Sequence, residues 1–146
     1  MTRDADVVIQ IHKPEINKIV QLFQDEFYID RNAISEAIEY QGMFNAIHNE
    51  SVFKIDFIVC KDAPYRQTEF ERRRQIKCGD QLIWIVTPED LILSKLEWAK
   101  ESSSEIQLND VRNIFSSAKN LDLNYINRWV QKLQLIDIYK KVQANE

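Results

Sequence analysis

Three aspartates on predicted β-strands have the spacing best suited to metal-dependent chemistry. Asp4 and Asp6 lead into the apolar segment 7–11, and because side chains alternate along a strand, both carboxylates project from one face. Asp56 lies within the apolar run 52–59, on the polar side of its alternating pattern. An Asp-x-Asp pair on one strand and a lone Asp on another are typical of two-metal phosphoryl and nucleotidyl transfer.

Each of these acids also has a simpler interpretation. Asp-x-Asp is common at a solvated strand end, where it needs no ligand. An acid in the middle of an apolar strand must face solvent, a partner charge or a metal, because burying a lone carboxylate is costly. The spacing alone therefore makes the metal site at Asp4, Asp6 and Asp56 one hypothesis among these.

The composition restricts the class of protein. A chain of 146 residues with 45% hydrophobic content suits one domain with its own core. The net charge of −4 argues against a general nucleic-acid surface, and no apolar run approaches the length of a membrane span. Cys60 and Cys78 lack metal-ligand spacing, which favours a reduced, cytoplasmic setting. With Gly42 and Gly79 as the only glycines, a Gly-rich phosphate loop is excluded.

Hydrophobic periodicity predicts the elements that position these acids. The pattern indicates an α+β fold in one domain, with strands and helices in residues 1–87 and an all-helical part in 88–146. The run Leu82–Val86 is apolar without alternation and predicts a strand covered on both faces. The other predicted elements are a strand entering at Asp4, helices over 14–27, 30–42, 88–100, 105–119, 123–133 and 135–143, and a hairpin of strands 43–48 and 52–60.

One lysine and one aspartate of the helical part also call for an explanation. Lys95 falls on the apolar side of its predicted helix, and Asp110 lies at the margin of the apolar stripe of the next helix. Lys95 either extends its ammonium to water, pairs with Asp110, or binds phosphate. The charged run Glu71-Arg72-Arg73-Arg74 could contact phosphate, although a charged run on a short helix is usually a solvated face.

Taken in order, these segments resemble a known family. The residues that carry the resemblance are Arg3-Asp4-Ala5-Asp6-Val7-Val8, Phe53-Lys54-Ile55-Asp56-Phe57, Thr87-Pro88-Glu89-Asp90-Leu91-Ile92-Leu93-Ser94-Lys95-Leu96 and Asp110-Val111. Together they resemble bacterial nucleotidyltransferase-like proteins related to the AbiEii toxin group. The resemblance spans nearly the whole chain, and its specificity lies in the combination of segments.

The resemblance implies a nucleotidyltransferase-type mixed sheet and a divalent-metal site. Asp4, Asp6 and Asp56 match the metal ligands, with Mg²⁺ or Mn²⁺ as the metal and Asp56 as the third ligand or as the base for the acceptor. Lys95, as a catalytic and phosphate-binding residue, and Asp110 occupy the positions that complete the site. The implied reaction moves a nucleoside monophosphate from a nucleoside triphosphate to an unknown acceptor.

The sequence departs from the family in one respect. Members carry a Gly-Gly or Gly-Ser turn before the Asp-x-Asp strand, where backbone N–H groups hold the triphosphate. Both glycines of this chain follow that strand, so we expect nucleotide binding to be weak and the site to be incomplete in this chain. The alternative is a non-catalytic interaction module of the same fold, acting as a homodimer or in a toxin-antitoxin-like pair.

Overall fold

The chain folds as two units, each with its own sheet. The computed structural model describes residues 4–51 and 53–144. The units are Met1–Phe70 and Glu71–Glu146, and the division between them falls within helix α3 (Pro64–Arg72). The mixed α+β class predicted from the sequence is confirmed.

A four-stranded mixed sheet forms the centre of the first unit. Its strands lie in the order β1-β4-β3-β2, with β1 parallel to β4 and the other neighbours antiparallel. The elements of this unit that precede α3 are β1 (Asp4–Ile9), α1 (Ile16–Phe23), β2 (Phe27–Ile29), α2 (Arg31–Tyr40), β3 (Met43–His48) and β4 (Lys54–Val59).

Helices α1 and α2 cover one face of this sheet and bury its apolar side chains. Phe57 of β4 stacks on Phe44 at 5.0 Å between ring centroids and meets Phe23 edge-on at 5.4 Å. Ile34 of α2 and Ala46 of β3 are fully buried in the same core. Because side chains alternate along each strand, the polar residues of β1 and β4 project from the opposite face.

The sequence predicted most of this unit, with one strand missed. The hairpin of β3 and β4 is confirmed, although Val52, where the second strand was expected to begin, lies outside the described residues. The helix expected over 14–27 ends at Phe23, and Phe27 begins β2 instead. The apolar spacing misled because Phe27 enters the same core from a strand, packing edge-on against Phe23 at 5.4 Å.

Helix α4 is the central element of the second unit. Thr87 caps it by accepting a hydrogen bond from the backbone N–H of Asp90, and Leu93 and Leu96 are fully buried along it. Ser103, in the left-handed region at φ 55°, turns the chain into the next helix. The helices of this unit are α4 (Pro88–Ser102), α5 (Glu105–Ser117), α6 (Leu123–Lys132) and α7 (Ile136–Gln143).

Strands β5 (Arg74–Cys78) and β6 (Gln81–Ile85) form the sheet of the second unit, and they correct one prediction. The run Leu82–Val86 was expected to be covered on both faces, yet every residue of it is exposed. Within the described part of the chain, β6 pairs with β5 alone, in a two-stranded hairpin. Apolar side chains on both faces of a strand indicate that burial of both faces would be favourable. They do not show that other elements of the same chain bury them, and here none of the described elements does.

Candidate functional site

The parallel pairing of β1 with β4 gathers the predicted acids of the first unit on one face of the sheet. In this register Asp4 lies opposite Lys54 and Asp6 opposite Asp56. Opposed residues of neighbouring strands point to the same side, about 4.8 Å apart. Asp4, Asp6, Lys54 and Asp56 therefore share the face that α1 and α2 leave open, and we call these four residues the acidic face.

Lys54 supplies the partner charge for the buried acid of this face. Its Nζ atom lies 2.9 Å from Oδ2 of Asp56 and 3.8 Å from Oδ2 of Asp4. The hydrogen bond to Asp56 raises the pKa of Lys54 above 10.5, so the ammonium is charged at neutral pH. The side chain of Asp56 is only 11% exposed, and its second oxygen, Oδ1, is buried without a hydrogen-bond partner among residues 4–51 and 53–144.

The acidic face fits a divalent cation in its donor chemistry. Carboxylate oxygens are the ligands that Mg²⁺ prefers, and the unpartnered Oδ1 of Asp56 is free to accept one more interaction. In the present arrangement the Lys54 ammonium supplies the positive charge, and no group of three or more acids, histidines or cysteines in residues 4–51 and 53–144 is arranged to hold a metal. A metal would therefore compete with Lys54 for the same oxygens.

Lys95 and Asp110, the two predicted site residues of the second unit, form an ion pair. Nζ of Lys95 donates to Oδ2 of Asp110 at 2.7 Å and to Oε1 of Gln107 at 3.1 Å. The pairing predicted for Lys95 is thus formed, between helices α4 and α5. The lysine side chain is 18% exposed and the aspartate 43%, so the pair lies at the surface rather than in the core.

Because this ion pair is partly solvated, we expect its loss to cost little stability. Asp110→Ala should lower the free energy of unfolding by no more than about 1 kcal/mol, and Lys95→Met by less, since methionine keeps the packed stem. Urea unfolding of both variants measures this. A loss of several kcal/mol for Asp110→Ala would show that the lysine is stranded without water.

A buried polar network at the start of α4 was not predicted. Asp90 is fully buried and accepts hydrogen bonds from Nε of Arg72 at 3.0 Å, from the Thr87 hydroxyl at 2.6 Å and from the Tyr125 hydroxyl at 2.6 Å. The Arg72 guanidinium also lies over the Tyr125 ring, 3.8 Å from its centroid. The charged run had indicated a solvated face, but Arg72 instead belongs to this network.

The sequence indicates the local part of this network, the Thr87 cap, but not its contact with Tyr125. Thr87-Pro88-Glu89-Asp90 has the residue types typical of a helix start, which explains the Thr87 cap at the beginning of the helix predicted from residue 88. Nothing local indicates that the Asp90 carboxylate turns inward to Tyr125, which recurs with Ile126 and Trp129 at the spacing of an apolar helix stripe. The two residues are 35 positions apart in the chain, and their contact depends on the packing of α6 against α4.

Glu89, which lies beside this network, makes the stability of the fold depend on pH in the acidic range. Burial raises its pKa, but the backbone N–H groups of Asp122 and of Glu89 itself, with Arg72 and Arg74, outweigh burial and hold the pKa below the ordinary 4.5. A lowered folded-state pKa stabilises above the unfolded value, and the contribution disappears as pH falls through the folded value. Stability should therefore fall below about pH 4.5. Urea unfolding at a series of pH values measures this, and the Glu89→Gln variant should show a shallower decline.

Comparison with known proteins adds no assignment. Neither a protein-family model nor a curated protein matches the sequence. The resemblance to nucleotidyltransferase-like proteins therefore stays a prediction from the motifs. None of the helices described for the chain is both long enough and apolar enough to cross a membrane.

Proposed function

We propose that the chain is a nucleotidyltransferase-type protein whose acidic face binds a divalent cation and a nucleoside triphosphate. The observation that carries this proposal is the register of β1 with β4, which puts Asp6 directly opposite Asp56 on the same side of the sheet as Asp4. Three carboxylates on two adjacent strands are the donor set that metal-dependent nucleotidyl transfer requires.

The roles follow from the position of each carboxylate. Asp4 and Asp6 are exposed and would hold Mg²⁺ or Mn²⁺. Asp56, with its unpartnered Oδ1, would serve as third ligand or as the base for the acceptor hydroxyl. The cation, when bound, neutralises charge on the triphosphate.

Lys95 and Asp110 enter the proposal as phosphate-binding and cofactor-binding residues. The Lys95 ammonium is held by a carboxylate at 2.7 Å and remains 18% exposed as a side chain, so it could exchange that partner for a phosphate. Lys95→Met should weaken triphosphate binding while leaving binding of the metal alone unchanged. Equal weakening of both would contradict the role of Lys95 as a phosphate-binding residue.

Competition between Lys54 and the metal gives the test of this proposal. We expect the unaltered chain to bind Mg²⁺ and nucleoside triphosphate weakly, at about millimolar Kd. Lys54→Met removes the competing ammonium and should tighten Mg²⁺ binding about tenfold or more, because both Asp56 oxygens then lack a cation. Isothermal titration with Mg²⁺, alone and with each of the four ribonucleoside triphosphates, measures both affinities.

Two further variants control this experiment. Lys18→Met removes the same charge from α1, which covers the other face of the sheet, and should leave Mg²⁺ affinity unchanged. Asp6→Asn in the Lys54→Met background should abolish the gain. If Lys54→Met fails to bind Mg²⁺ any better than the unaltered chain, the acidic face is not a metal site.

The second candidate function is a non-catalytic module of the same fold. The ion pairs of Lys54 with Asp56 and Asp4 favour it, because they offset part of the negative charge of the acidic face within the chain. Under this alternative the acids stabilise the fold, and the chain acts by binding another protein chain. Absence of Mg²⁺ binding in both the unaltered chain and Lys54→Met would support it.

A further inference from the structure

The β5–β6 hairpin exposes a continuous apolar strand in the second unit. All residues of both strands are exposed, including Leu82 at 63% and Trp84 at 57%. A two-stranded hairpin alone is marginally stable in water, and a third strand or a covering layer is usually needed. The strand β6 therefore has both the surface and the energetic reason to bind another strand.

The turn of the hairpin determines which backbone groups of β6 are available. Gly79 has φ 59° and forms a two-residue turn with Asp80, so the flanking residues Cys78 and Gln81 make the first hydrogen-bonded pair. Such pairs alternate along an antiparallel hairpin. The N–H and C=O groups of Leu82 and Trp84 consequently point away from β5, toward the open edge.

These outward groups are complementary to a second copy of the same edge. We propose that two copies of the chain pair through β6, antiparallel and about a twofold axis at Ile83. Leu82 then lies opposite the partner's Trp84 as a hydrogen-bonded pair, and the twofold axis repeats that pair. The two hairpins become one four-stranded sheet, with aliphatic and aromatic side chains as cross-strand neighbours.

The distribution of charge selects β6 over β5 for this pairing. Residues 81–86 include no charged side chain, although the Arg73 guanidinium lies over the Trp84 ring, 4.8 Å from its centroid. Strand β5 itself carries Arg74 and Lys77. Twofold pairing through β5 would bring these like charges together, which destabilises neighbouring strands. The open edge of β6 also lacks the lysine or proline that commonly protects an edge strand from such pairing.

Sedimentation equilibrium of the whole chain at increasing concentration tests the proposal. The unaltered chain should form a dimer, and Trp84→Lys should raise its Kd roughly 100-fold, because a charge then enters the apolar interface twice. Gln75→Lys is the matched control. Gln75 lies opposite Trp84 within the hairpin but on β5, so the same added charge should leave the dimer intact.

A charge-swap mixture tests the register. Trp84→Lys mixed with Leu82→Glu should restore association, because these positions face each other across the twofold axis. Trp84→Lys mixed with Ile83→Glu should remain monomeric. Circular dichroism should be unchanged in every variant, since the substituted side chains are exposed.

Three outcomes would overturn the proposal. They are a chain that stays monomeric at all concentrations, a dimer that Gln75→Lys weakens as much as Trp84→Lys does, and association that grows beyond the dimer. The surface also gives the second candidate function its interface, yet it does not depend on the acidic face. Loss of Mg²⁺ binding in Asp6→Asn should leave the dimer unchanged, so the two proposals can fail separately.

Discussion

Asp90→Ala should lower the free energy of unfolding of the second unit by about 3 kcal/mol or more. The fully buried carboxylate accepts hydrogen bonds from Arg72, Thr87 and Tyr125, and its removal leaves these donors without their common acceptor. Urea unfolding followed by tryptophan fluorescence is the measurement. It reports on this unit, because all three tryptophans of the chain lie after residue 70.

Asp90→Asn separates the charge from the hydrogen bonds in this experiment. Asparagine keeps one acceptor oxygen but loses the negative charge beside Arg72. The free energy of unfolding of Asp90→Asn should therefore lie between those of the unaltered chain and Asp90→Ala. A cost below about 1 kcal/mol for Asp90→Ala would contradict the network, because that is the range of solvated surface pairs.

Phe57→Ala is the corresponding large change in the first unit, with an expected loss of about 3–5 kcal/mol. The ring lies between Phe44 and Phe23 in the core, and alanine would leave a cavity there. Far-ultraviolet circular dichroism during urea unfolding measures the loss. Tyr28→Ala, at a side chain 61% exposed on the same sheet, should change stability by less than about 0.5 kcal/mol.

Phe57→Ala also tests whether the chain is one cooperative domain, as the sequence predicted. If the two units unfold together, Phe57→Ala will shift the fluorescence transition of the second unit as far as the dichroism transition. If they unfold separately, fluorescence will be unaffected. If both probes give Phe57→Ala the same free energy of unfolding as the unaltered chain, the surrounding core has filled the cavity and the predicted loss is wrong.

Local chemistry explains why the helices were predictable. Asp30 and Thr87 cap α2 and α4 through side-chain oxygens, and both are residue types favoured at a helix N-cap. The strands were harder, because a strand's partner lies elsewhere in the chain. The apolar run of β6 shows this limit, since the sequence defines what the strand needs to bury but not what lies beside it.

The candidate site was predictable in its composition more than in its electrostatics. Alternation along β4 put Lys54 and Asp56 on the polar side, and the register with β1 agrees with that expectation. The sequence did not show that Lys54 would reach Asp4 as well as Asp56. That contact requires the parallel pairing of two strands, which no local pattern specifies.

The pairing of β1 with β4 also determines when the acidic face can form during synthesis. Asp4 pairs with Lys54, 50 positions further along the chain, whereas the hairpin pair Cys78 and Gln81 is nearly adjacent. At 5–20 residues per second, about 3–10 s separate translation of the two strands. During that interval β1 lacks β4, its one neighbour among the described strands, so its apolar side chains are open to chaperones or to premature association.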